Sequence, residues 1–245
     1  MYVKTDGIIL REVEYKDNDK LLTVLTKDFG KITVKARGVK SQRSKLKAGC
    51  QLLAFAELTL LEHNARYTVT EANVKEMFAN LRTDIELLSL ATYFAQVCEV
   101  VAQEDDPSPE MLSLLLNSLY AISKLNKPAL QVKAVFELRL MCIAGFLPDL
   151  RGCMICGKES ANRFNITQGA IQCADCPSGE DIRMPLSSGT LMAMRYIAYC
   201  DARKLFSFTL SNEGTQELNQ ITESYLSTRL ERGFSTLDFY KSLFI

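Results

Sequence analysis

Two cysteine pairs, Cys153-Met-Ile-Cys156 and Cys173-Ala-Asp-Cys176, are separated by sixteen residues, with Gly157 directly after the first pair. Two residues between thiols let both turn back on one ion, and a second pair completes a tetrahedron. This spacing predicts one structural Zn2+ held by all four cysteines. Four thiolates leave no open coordination position, so such a site holds structure and does not activate water. The surrounding residues, 149–184, hold scattered Gly and polar residues and too little apolar surface for a core of their own. The ion is expected to fold them as a zinc knuckle. A labile disulfide pair or a metal-free knuckle would show the same spacing. Cys50, Cys98, Cys142 and Cys200 stand alone in apolar segments and read as small buried hydrophobes with reduced thiols.

The chain before the knuckle changes character once. Residues 1–80 carry five β-prone segments, Tyr2–Tyr15, Lys20–Phe29, Lys31–Gly38, Cys50–Glu62 and Arg66–Lys75, divided by turn residues. Five short strands suit a closed barrel, which leaves no sheet edge exposed. An OB-fold is the economical choice, although an SH3-like barrel has the same signature. From residue 81 the period becomes helical. Helices are expected over Leu81–Ala102, from Pro109 behind a Ser108 cap, over Ala129–Ala144 with Gly145 at the stop, over Ser188–Asp201 and over Asn212–Arg232, with a short one in the last twelve residues. The first and third are apolar on more than one side and should pack against each other and later helices. The fold class is therefore α+β: an N-terminal five-stranded barrel, residues 1–80, then an α-helical bundle, residues 81–245, with the knuckle inserted at 149–184.

Net charge is zero, but it is unevenly spread. Residues 1–80 hold 14 Lys/Arg against 10 Asp/Glu, and residues 81–245 hold 15 against 19. The positive excess concentrates in Lys31, Lys35, Arg37, Lys40, Arg43, Lys45 and Lys47, with no acid before Glu57. Alternation with Ile32, Val34 and Ala36 puts the first three on the outside of the barrel, and the rest extend them as a loop. Several cations on one face, with Ser41 and Ser44 as neutral donors, are what a nucleic-acid backbone requires. The aromatics of this half read mainly as core. Between the cysteine pairs only Lys158 and Arg163 are basic, against Glu159, so the knuckle reads as scaffold and not as a DNA contact.

Several activities are excluded. The single histidine, His63, sits in an EHNAR turn and has no partners for a catalytic metal or a deaminase signature. No nucleophile elbow, phosphate-cradling glycine loop or dinucleotide fingerprint occurs. The longest uncharged stretches, Leu87–Cys98 and Met111–Ser123, are too short to span a bilayer. The opening residues show no signal-peptide pattern, so a cytoplasmic protein is expected.

In this order the features resemble a family, the bacterial recombination mediator RecO. The likeness rests on Gly7-Ile-Ile-Leu10, on Lys35-Ala-Arg-Gly-Val-Lys40, and on Phe136-Glu-Leu-Arg-Leu-Met-Cys-Ile-Ala-Gly-Phe146, which runs through Leu147-Pro148-Asp149-Leu150 into the first cysteine pair. It implies an OB-fold that binds single- and double-stranded DNA, annealing of complementary strands coated with single-stranded DNA-binding protein (SSB), and loading of RecA together with RecR. It also implies a nucleoid-associated protein without enzymatic turnover, and a helical-domain slot for the acidic, Phe-ending SSB tail. Lys133, Phe136, Arg139 and Leu140 are the residues expected there, although Lys133 and Glu137 also stand at the spacing of a solvated i,i+4 pair. Two other classes fit parts of the sequence. A zinc-ribbon transcription or translation factor would use the barrel for RNA, and a scaffold would bind no nucleic acid.

Overall fold

The computed structural model describes residues 1–177 and 179–244. Strands β1 (Tyr2–Tyr15), β2 (Asp19–Thr26), β3 (Lys31–Ala36), β4 (Phe55–His63) and β5 (Arg66–Glu76) close into a barrel of order β1-β2-β3-β5-β4. All neighbours are antiparallel except β3 and β5, which pair in parallel at Val34 with Tyr67 and Lys35 with Thr68. This is the expected five-stranded OB-like barrel. Alternation fills it: Ile9, Leu22, Val24, Ile32, Val34, Ala36, Leu58, Leu60 and Val69 point inward. A register shift between Ile9 and Arg11 lets Ile8, Ile9 and Leu10 all be buried in succession. The fourth strand begins at Phe55, not Cys50. Residues 37–54 are turns, anchored to the barrel core by Val39, Cys50 and Ala54.

Helices α1 (Ile85–Val101), α2 (Pro109–Ser123), α3 (Ala129–Ile143), α4 (Ser188–Tyr199), α5 (Asn212–Leu230) and α6 (Ser235–Ser242) follow. The first starts later than its apolar period suggests, because Ala79–Thr83 form a 3-10 turn and the Asp84 carboxylate caps Glu86 N and Leu87 N. Pro109 opens α2, but the Ser108 side chain makes no cap bond. Gly145 takes φ 89° just beyond α3, the left-handed conformation that ends helices.

The compact units do not divide where strand gives way to helix. One comprises Met1–Lys124 and Phe234–Ile245, the other Leu125–Gly233. In the first, α1 packs against α2, α6 and β1. Phe234 meets Tyr93 edge-on at 5.7 Å, and Thr236 Oγ1 donates to Gln96 Oε1 at 2.6 Å. In the second, α3 packs against α4 and α5, beside a three-stranded sheet β7-β6-β8 (Ala170–Gln172, Arg163–Asn165, Arg183–Pro185). The first and third helices, expected to pack together, thus belong to different units.

Candidate metal centre and nucleic-acid groove

Side chains on the outward face of β3 form the floor of a groove of about 610 Å3 on the barrel. Lys35 and Arg37 stand at one end near Tyr15 of β1. Because β5 runs parallel to β3, Arg66 and Tyr67 fall toward the other end, with Lys31 and His63. The cations are not equally available. Lys31 Nζ donates to the carbonyl of Glu99 at 2.8 Å. Lys35 Nζ lies 3.1 Å from Asp19 and 4.9 Å from the Tyr15 ring centroid. Asp19 also accepts from Gly38 N, and this bond together with Lys35 holds its carboxyl below the ordinary value. Arg37 and Arg66 are exposed and have no ion-pair partner among the described residues. Tyr15 is half open to solvent and Tyr67 half-buried against Phe29, ring to ring at 6.1 Å.

Of the seven basic residues, Lys31, Lys35 and Arg37 line the groove. Lys40 is 3.2 Å from Glu14, and neither it nor Arg43, Lys45 or Lys47 lines the groove. Arg43, Lys45 and Lys47 project from the 37–54 loop as a separate exposed group. Arg66 escapes a local reading, because parallel closure of the barrel brings it to β3.

The four knuckle cysteines come together. Their sulfurs all lie within 4.8 Å of one another, close enough to hold a metal ion. Cys153 Sγ is 3.8 Å from Cys176 Sγ, and Cys156 Sγ is 3.7 Å from Cys173 Sγ, so none is bonded to another. The first pair sits on a tight turn. Gly157 N donates to Cys153 O at 2.8 Å, and Gly157 itself takes φ 75°. Gly152 is also constrained, since a Cβ there would meet Gly157 O at 2.7 Å. Burial pushes the Cys153 thiol up, but N–H groups of Cys156, Cys173 and Ile155 outweigh it and bring the value to about 6. The sulfur of Cys156 and burial push Cys176 up to about 12, and burial with Cys156 pushes Cys173 to about 11. Four such sulfurs cannot all ionise without a cation to share, and a metal ion held among them would supply it. Of the other cysteines, Cys50 and Cys98 are fully buried, while Cys142 and Cys200 are only partly so.

Two sequence-family models cover the chain: Recombination protein O N terminal matches residues 1–78, and Recombination protein O C terminal matches residues 82–238. The chain belongs to the recombination protein O family. A relative from Acetivibrio thermocellus, named DNA repair protein RecO, is 34% identical over 244 residues, covering 99% of this chain and 97% of the relative. Relatives of the same name from Alkaliphilus metalliredigens and Caldicellulosiruptor bescii are each 29% identical, over 99% and 98% of this chain and 100% and 98% of their own. Among the described residues no helix is long and apolar enough to cross a membrane.

Of the residues expected to line the slot, Lys133, Phe136 and Leu140 are buried and Arg139 is partly buried. Phe136 and Leu140 are fully buried in α3. Lys133 is 1% exposed, with Nζ 2.8 Å from Glu137 and 2.9 Å from both Glu223 and Asn219 on α5. Arg139 donates to the carbonyls of Ile197 and Ala198. The pair read as solvated is an internal ion cluster, completed by Thr222 Oγ1 donating to Glu137 at 2.7 Å. Lys133 thus ties α3 to α5, and Arg139 ties it to α4.

Proposed function

We propose that this chain is a DNA-binding recombination mediator that anneals complementary single strands and, with RecR, loads RecA onto SSB-coated DNA. The observation that carries the reading is the groove over β3, where Arg37 and Arg66 flank a floor bordered by Tyr15 and Tyr67. OB-folds take single strands on this face, between the β1–β2 and β4–β5 turns. Cations track the phosphates while aromatic faces accept bases of any sequence. Arg43, Lys45 and Lys47 supply a second cationic surface on the same barrel, and double-stranded DNA can engage phosphates there too. Annealing then needs no bond chemistry. The barrel offsets repulsion between two strands, and base pairing drives the product. The names of the relatives, with their full-length coverage, agree with a role in DNA repair.

The cysteines, in the same reading, hold one structural Zn2+. A tetrahedron with Zn–S bonds near ~2.3 Å has sulfur–sulfur edges of about 3.8 Å. The Cys153–Cys176 and Cys156–Cys173 separations, 3.8 and 3.7 Å, match that edge. The ion supplies charge to four thiolates and no reactive position.

The test is annealing of two labelled complementary strands coated with SSB, at two salt concentrations. Wild type should accelerate annealing, less so at high salt. Arg37→Ala with Arg66→Ala should lose most of the effect and lower the salt slope of single-strand binding by roughly 1.4 for two phosphate contacts. Unchanged binding and annealing in this variant would remove the groove from the mechanism. Tighter binding of RNA than of DNA of the same sequence would favour an RNA-binding factor instead.

A further inference from the structure

The groove that takes the single strand in the reading above is not lined by cations alone. Glu104 and Asp105, from the segment between α1 and α2, also line it. Both are exposed, and neither carboxylate has an ion pair or hydrogen bond among the described residues. Their backbone is nonetheless fixed. Glu104 bridges to Gly30 and Lys31 at the entry to β3, and Lys31 N donates to Gln103 O at 3.1 Å. Gly30, at φ 63°, allows a contact that no side chain would: a Cβ there would lie 2.5 Å from Asp106 O. Pro107 and Pro109 stiffen the exit. Asp105 is close enough to Tyr67 that, after burial and Glu62, it helps raise the phenol above its ordinary value.

Two unpaired carboxylates clamped beside Lys31, Arg66 and Tyr67 oppose what a phosphate-binding groove needs. We propose that Glu104 and Asp105 are a built-in electrostatic brake on the groove, lowering its affinity for single-stranded DNA at the Lys31–Arg66 end. This inference rests on the groove being the strand-binding site. The carboxylates partly offset Arg66 and repel phosphates at that end, so the strand is gripped mainly at Lys35 and Arg37. A weak grip suits annealing, in which the strand must leave the groove as it pairs.

The experiment measures Kd for fluorescent oligo-dT by anisotropy, using the full chain at low and moderate salt. Glu104→Gln with Asp105→Asn keeps size and shape, and Asn tolerates the left-handed φ of 56° at position 105. A control, Glu110→Gln with Glu213→Gln, removes the same charge outside the groove. The brake variant should bind roughly threefold to tenfold tighter than wild type at low salt, with the gain shrinking as salt rises, and the control should stay within about twofold. Unchanged or weaker binding by the brake variant, or an equal gain in the control, overturns the inference. Arg37→Ala with Arg66→Ala, run alongside, separates the two failures. If that variant binds as wild type does, the groove reading has failed. If it binds weakly while the brake variant is unchanged, only the brake has.

Discussion

In the barrel, Ile, Leu, Val and Ala side chains from five strands fill one interior, and every charged group stays outside. In the second unit, α3 buries Lys133 and Glu137 along with its apolar residues, and the neighbouring loops converge on four sulfurs. The barrel closes its own hydrogen-bond ladder, so hydrocarbon burial suffices. The knuckle strands have three residues each and cannot do this. In this unit polar and ionic cross-links stand beside apolar burial, as at Phe164, Ile166 and Ile171. Such cross-links fail abruptly when one partner is removed.

The largest effect expected from that contrast is loss of the knuckle. Cys153→Ser with Cys156→Ser should abolish binding of the ion, a contribution of about 10–16 kcal/mol in isolated zinc domains. Hydrogen exchange should lose protection across residues 149–184 and keep it on β1–β5, with metal content falling from one equivalent to none. Unchanged metal stoichiometry would refute the assignment of these ligands.

Next comes the ion cluster. Lys133→Met leaves Glu137 buried without its cation and should cost about 3–5 kcal/mol in a denaturant melt of the second unit. A cost below about 1 kcal/mol would mean that the cluster is solvated and the contrast overstated. The smallest effect is at the entry to the knuckle. The Arg151 side chain, then its backbone N–H, holds the Asp149 carboxyl down at about 2. Its folded value lies below the unfolded one. Its contribution is therefore fully present above about pH 4 and lost as pH falls toward 2. The pair is exposed, so the contribution should be under about 1 kcal/mol. Asp149→Asn should be slightly less stable than wild type in urea at pH 5, and the two should converge near pH 2.

Much of this was legible in the residues. The CxxC pairs, the alternation of Ile32, Val34 and Ala36, and Pro109 and Gly145 at helix ends are local signals, and local geometry answers to them. Three things were not legible, because each depends on partners distant in sequence. Arg66 comes to the groove over β3 only through the parallel closure of β3 on β5. Lys133 is buried because Glu223, ninety residues later, meets it. Glu104 reads as a helix-ending acid until Gly30 is seen to clamp it beside a cationic groove.

The chain leaves the first unit at Lys124 and returns to it at Phe234. During synthesis the barrel, α1 and α2 emerge well before α6, and Tyr93 has no Phe234 to meet until the whole insert has been made. At roughly 5–20 residues per second, about 110 residues amount to several seconds. Throughout that interval α1 carries an apolar face that its final partner has not yet reached. The last helix cannot dock until the segment before it has been delivered, so completion of a unit that contains none of the four clustered cysteines waits on the one that holds them.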